Sequence, residues 1–252
     1  MAHILHQVVE EPHECSYLPS ESAQLEVMVL QGVAAFELEA LLERGWRHFG
    51  AAFFRPACID CFECITLRVL AQEFEPSAGQ KRAMRVAASR FRREVGMPRV
   101  DAERLALYSK WHASREQARG WEPSVYSRDS YARDFATPHS CAREVAYYDD
   151  FAGGKLVGLG LWDELSHGKS AIYFFYDPDI RGVSLGVANV VAGIDDARRA
   201  GQPYVYLGYW VGKCDSLRYK SHYLPHELLV GRPGLAEKPT WIRATSPSFG
   251  KP

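Results

Sequence analysis

Residues 143–210 decide the fold. REVAYYDDF (143–151), KLVGLGLWDEL (155–165) and SAIYFFYDP (170–178) are followed by DIRGVSLGVANVVAGIDDARRAG (179–201) and PYVYLGYW (203–210). The first three runs are short, rich in branched and aromatic residues, and separated by glycine-rich or polar turns, which predicts an antiparallel meander. The fourth opens in a glycine-containing turn, feeds a helix with a basic last turn, and stops at Gly201. The fifth returns as a strand, so the order is β-β-β-α-β.

Upstream, Arg99–Phe135 predicts helical, amphipathic structure with Leu105, Leu107, Tyr108, Trp111, Tyr126, Tyr131 and Phe135 on the apolar side and Pro123 dividing it. Residues 12–78 read as a small, loop-rich opening lobe punctuated by Pro12, Pro19, Pro56 and Pro76. Inside it the spacing predicts a helix over Ala34–Arg44 closed by Gly45, a strand over FGAAFFRP (49–56) and a strand over TLRVLAQEF (66–74). PSAGQ (76–80) reads as a turn before a basic helical segment. The expectation is an α+β protein of two packed lobes, residues 1–75 and 76–252.

Composition narrows the function. The 252 residues carry 30 Lys+Arg against 31 Asp+Glu, a balance that argues against polyanion binding driven by bulk charge. An apolar fraction of 47% with 24% charged residues is that of an ordinary globular chain. No apolar run approaches the ~20 residues of a membrane-spanning helix. The opening MAHILHQVVEEPHECSYLP lacks the basic start, long apolar stretch and small-residue cleavage site of a signal peptide, so the expected compartment is the cytoplasm. The six cysteines there read as reduced thiols, metal ligands or redox groups before disulfides.

Four constellations carry chemistry. Cys58, Cys61 and Cys64 stand in C-x-x-C-x-x-C spacing, and with Cys15 they are candidate ligands for zinc or an iron–sulfur cluster; buried or redox-active thiols are the plainer reading. QKRAMRVAASRFRR (80–93) holds six cations and no acid, suited to phosphates or a carboxylate, or simply to a solvated helix. Arg181, Gly182, Ser184 and Gly186 lie at a strand-to-helix transition, where backbone N–H groups attract anions and glycine permits close approach. In the β-β-β-α-β setting this segment is similar to that of the GNAT N-acetyltransferases. YLGYWVGKCDSLRYKSHYLPHELL (206–229) gathers aromatic and cationic groups at a strand's carboxyl end, with Cys214 lacking the spacing of a nucleophilic triad.

Together the motifs C-S-Y-L-P (15–19), RPACIDCFECITLRV (55–69), FEPSAGQKR (74–82), YFFYDP (173–178) and the YLGYW-to-YK-to-Glu227 run resemble the aminoacyl-tRNA protein transferases. Among these the chain is similar to the short bacterial aspartate/glutamate leucyltransferases, relatives of the eukaryotic arginyltransferases. The resemblance covers most of the chain in the right order. It implies a cysteine-bearing N-terminal lobe and a GNAT-like lobe. It also implies transfer of leucine or arginine from charged tRNA to proteins beginning with Asp or Glu, which marks them for degradation in the N-degron pathway. Eukaryotic relatives link the N-terminal cysteines to an iron–sulfur cluster.

An aminoacyl ester is already activated, so the chemistry needs a neutral amine held near the ester carbonyl and a stabilised oxyanion, with no covalent nucleophile and no required cofactor. The expected substrate-binding residues are Gln80, Lys81, Arg82, Arg85, Tyr173, Ser184, Leu185, Gly186 and Gly208, the cations meeting the acceptor's acidic side chain or tRNA phosphates. Asp177 is the expected group to orient or deprotonate the ammonium, and Tyr209 or Lys220 the one to polarise the carbonyl. The expected partners are aminoacyl-tRNA and an acidic protein N-terminus. Alternative readings are a divergent tRNA-dependent transferase acting on a peptide or metabolite, an acetyl-CoA N-acyltransferase, and a non-catalytic metal-dependent RNA-binding module.

Overall fold

In the computed structural model, which describes residues 2–119 and 123–247, the elements run in the order β1 (His3–Val9), β2 (His13–Glu14), β3 (Ser22–Ala23), β4 (Leu25–Gln31), α1 (Ala35–Glu43), β5 (Arg47–Phe49), β6 (Ala52–Pro56) and β7 (Ile65–Leu70). Next come α2 (Ala78–Arg90), β8 (Phe91–Gly96), α3 (Ala102–Arg119) and α4 (Arg128–Phe135). The meander β9 (Ala142–Asp149), β10 (Lys155–Glu164) and β11 (Gly168–Tyr176) leads into α5 (Leu185–Arg199) and β12 (Tyr204–Trp210), then β13 (His226–Leu229) and β14 (Trp241–Ala244). The class is α+β, and the β-β-β-α-β order stands. Among the described residues no helix is long and apolar enough to cross a membrane.

The chain divides into two compact units: Met1–Glu75 with Leu165–Ser170 and Ile194–Pro252, and Pro76–Glu164 with Ala171–Gly193. The break at residue 75 was expected, but residues 165–170 and 194–252, expected with the second lobe, group with the first. Pairing explains this, because β7 takes β12 on one side (Val69 opposite Val205) and β13 on the other (Leu67 opposite Leu228), both antiparallel. Strand β11 joins the same unit through Gly168–Ser170, parallel to β12.

The opening lobe is not loop-rich. It holds an antiparallel sheet ordered β1-β4-β6-β5 beside a short β2–β3 ladder. Strand β1 escapes sequence reading because all seven of its residues are exposed, which erases the in–out alternation. FGAAFFRP is a hairpin rather than one strand: β5 ends at Phe49, Gly50 turns with φ +53, and β6 pairs back as Phe49 opposite Ala52. TLRVLAQEF ends early as a strand, at Leu70, and every residue of β7 is buried, the mark of a strand covered on both faces. PSAGQ is a helix start: Ser77 caps α2 by accepting from the Gln80 N–H, while the Gln80 side chain accepts from the Ser77 N–H at 2.8 Å.

In the second unit the strands run β11-β10-β9-β8. Leu107 and Tyr108 of α3 and Tyr131 of α4 bury against Ala146, Tyr148, Leu156, Leu159, Leu161 and Phe175. Residues 99–135 thus form two helices, as Pro123 implies. Leu185, at the start of α5, packs against Gly158 of β10, where a Cβ would come within 2.7 Å of its Cδ2.

Gly208 sits at a register shift in the β7–β12 ladder with φ +76, and an added Cβ would lie 3.1 Å from Arg47 Nε. Gly208→Ala should therefore lower stability by about 1–3 kcal/mol, read as a lower urea unfolding midpoint; an unchanged midpoint would refute the requirement.

Candidate functional site

The first unit holds Cys15, Cys58, Cys61, Cys64 and Cys214, and the second holds Cys141. Residues 57–64 form a loop between β6 and β7, and the Arg232 guanidinium fastens it, donating to the carbonyls of Cys58 and Cys61 at 2.6 Å each and lying over the Phe62 ring at 4.7 Å. Burial first, then the neighbouring Cys15, Cys58 and Cys61, push the Cys64 thiol up to about 12. Cys58 Sγ donates to the Gln24 carbonyl at 3.7 Å. All four are free thiols. Their sulfur chemistry suits zinc or an iron–sulfur cluster, and Cys15, Cys58 and Cys61 all lie near enough to Cys64 to raise its thiol. No step is assigned to a metal here.

Close by stands Lys220, on the 3₁₀ turn Arg218–His222, its Nζ donating to the Tyr209 carbonyl at 2.7 Å. Burial of the amine, reinforced by the positive charge of Arg47, drops its pKa to about 7, so it is poised between charged and neutral forms in the physiological range. Tyr209 is differently placed from its expected role. Its hydroxyl lies 3.0 Å from the Gly45 carbonyl and 3.2 Å from that of Phe54, and burial raises its pKa. It ties β12 to the neighbouring backbone and does not present a free donor. Gly208 likewise accommodates Arg47, which crosses the strand to donate to Ser170 Oγ at 2.9 Å.

The second unit holds the remaining expected residues. Asp177, at the end of β11, is 4% exposed and accepts from Lys110 at 2.6 Å, Lys155 at 2.8 Å and the Asp179 N–H at 3.0 Å. Burial alone would raise its pKa, but the two ammonium groups outweigh it and hold the carboxyl down to about 2. A carboxylate so occupied is a charge anchor and a poor proton acceptor. Leu185 is core, a Cβ added at Gly186 would lie 3.7 Å from the Phe174 ring, and Ser184 stays exposed where its carbonyl takes the Ala188 N–H of the first turn.

The basic segment divides by partner. Arg90 pairs with Asp149 at 3.0 Å, and Arg92 with Asp150 and Glu94, on β8. Gln80 is a capping residue. Lys81, Arg82 and Arg85 remain exposed on α2 with no acidic partner among the described residues, so they are available to an anion.

Sequence reading missed a network around Tyr173. Its hydroxyl lies 3.2 Å from His112 Nε2; His112 Nδ1 lies 2.7 Å from the Tyr126 hydroxyl, which in turn donates to Glu116 Oε1 at 3.1 Å. Burial holds His112 below the ordinary imidazole value. The only trace in the sequence is spacing: Tyr108, His112 and Glu116 recur every fourth residue along α3.

Two family profiles match the chain, "Arginine-tRNA-protein transferase, N terminus" over residues 13–82 and "Arginine-tRNA-protein transferase, C terminus" over residues 103–230. An aspartate/glutamate leucyltransferase of Campylobacter jejuni is 35% identical over 227 residues, 89% of this chain and 92% of the relative. One of Helicobacter hepaticus is 33% identical over 232 residues, 92% of this chain and 95% of the relative. Among solved structures, L-PGS from Bacillus licheniformis matches at a TM-score of 0.43 and 13% identity, covering 69% of this chain and 50% of that one, so the chain spans about half its length.

The Asp177 anchor sets an acid dependence. Its folded pKa is depressed, so its contribution is complete above about pH 4 and is lost as pH falls toward 2. With both lysines well exposed to solvent, Asp177→Asn should lower stability by only about 1 kcal/mol at pH 7. The loss should shrink to a small fraction of that at pH 2, checked by urea midpoints at the two values; an undiminished deficit at pH 2 would contradict the anchor.

Proposed function

The chain belongs to the arginine-tRNA-protein transferase family, and from that premise we propose that it moves leucine from leucyl-tRNA to the α-amine of proteins beginning with Asp or Glu. The observation that carries the reading is the identity of about a third with aspartate/glutamate leucyltransferases across nine-tenths of both chains. The reaction is an acyl transfer: the amine attacks the ester carbonyl, the C–N bond forms, and the ribose C–O bond breaks. No residue need become acylated.

The exposed cations Lys81, Arg82 and Arg85 are the groups for the acceptor's carboxylate, where charge-assisted hydrogen bonds discriminate an acid from its neutral isostere. Tyr173 is the polar group of β11 for the reacting amine, and Ser184 with the first turn of α5 for an anionic part of the donor. Asp177 serves this site indirectly, by holding Lys110 and Lys155. The cytoplasm, where charged tRNA and new protein N-termini meet, is the compartment for such a reaction. Any zinc or iron–sulfur cluster on Cys15, Cys58, Cys61 and Cys64 would tie the cysteine loop together, and the transfer itself requires none.

The test is transfer from tRNA charged with radiolabelled leucine or arginine to peptides beginning with Asp, Glu, Lys or Ala. Leucine should enter the Asp and Glu peptides alone. Arginine in its place would assign the neighbouring donor specificity, and incorporation into Lys or Ala peptides would refute acidic-acceptor recognition.

A further inference from the structure

We propose that Tyr173, His112, Tyr126 and Glu116 form a directed proton relay that takes the proton of the attacking amine, with Tyr173 as its catalytic end. The inference rests on the acyl-transfer reading above.

Direction follows from donor and acceptor counting. A carboxylate only accepts, so the single Tyr126 proton goes to Glu116 Oε1, which also takes the Ser124 N–H at 3.1 Å. The Tyr126 oxygen must then accept at 2.7 Å from His112 Nδ1–H. That fixes the neutral tautomer with its lone pair on Nε2, and the Tyr173 hydroxyl donates to it. Every proton in the chain points from β11 toward Glu116. The titratable groups facing His112 are Tyr108 and Glu116 on α3, Tyr126 ahead of α4, and Tyr173 on β11; Asp134 of α4 lies within electrostatic reach of Tyr108. Glu116 favours a protonated imidazole while burial opposes it. The ring is thus neutral at rest and supported when it accepts a proton.

The step balances. The acceptor enters as a neutral amine, its ammonium proton having gone to solvent. As nitrogen attacks the ester carbon and becomes positive, its proton passes to Tyr173 Oη while the Tyr173 proton moves to His112 Nε2. Collapse breaks the bond to the ribose oxygen, and the proton returns through Tyr173 to that oxygen. The products are an amide and uncharged tRNA, with the relay restored.

The experiment is steady-state transfer of leucine to an Asp peptide across pH for wild type, Tyr173→Phe and His112→Gln, with ¹⁵N spectra of the His112 ring in wild type and Tyr126→Phe. Tyr173→Phe and His112→Gln should each lower kcat by about 10²–10⁴-fold with little change in KM. In the wild type, kcat should fall as pH drops through an ionisation below 6.5, and that limb should be missing from His112→Gln. The wild-type ring should be the Nδ1–H tautomer, and Tyr126→Phe should shift it toward Nε2–H. A wild type that transfers nothing overturns the reaction itself. A wild type that transfers while both variants match its kcat, or whose His112 is the Nε2–H tautomer, overturns the relay alone.

Discussion

The second unit depends on one buried ion pair. Arg104 is 1% exposed, and its Nε stands 3.1 Å from both carboxylate oxygens of Glu144 on β9, which also takes the Arg99 N–H at 3.3 Å. Asp101 completes the arrangement by accepting from the Arg104 backbone N–H at 2.9 Å at the start of α3. Two charges taken out of water in this way are tolerable only because nearly every polar atom is matched, and removing one partner costs about 3–5 kcal/mol. The pair fixes where α3 meets the sheet and how it is rotated. Tyr108, His112 and Glu116 follow at successive turns on one stripe, and Lys110 reaches Asp177 from the adjoining face.

Charge is distributed with a similar division in the rest of that unit. Acids occupy Arg90, Arg92, Lys110 and Lys155, all near the ends of β8, β10 and β11, while Lys81, Arg82 and Arg85 are left to solvent. A near-neutral chain can in this way offer a local anion site without a bulk positive field. In the first unit the opposite solution appears: Lys220 sheds part of its charge because burial and Arg47 both disfavour the ammonium form.

Much of this was legible in the sequence where a physical signal is local. The β-β-β-α-β order followed from turns and branched residues, α1 from its spacing and Gly45, and the family from five short motifs. Strand β1 was not legible, since it is exposed throughout, nor was the grouping of β12–β14 with the first unit, which depends on non-local pairing with β7. Site residues divide in the same manner. Lys81, Arg82 and Arg85 are exposed cations as their pattern suggests, whereas Tyr209 and Gln80 bond backbone groups, Gly208 makes room for Arg47 and Leu185 is core. His112, Tyr126 and Glu116 come together only through the packing of α3 beside β11, and no motif announces them.

If α2 binds the acceptor's carboxylate, the reaction reads a negative charge on the acceptor's first residue. The most direct measurement compares kcat/KM for leucine transfer to two peptides that differ only in beginning with Asp or Asn. The same shape without the charge should cost about 10- to 100-fold, the worth of a charge-assisted hydrogen bond to the exposed cations of α2. Equal kcat/KM for the two peptides would contradict it.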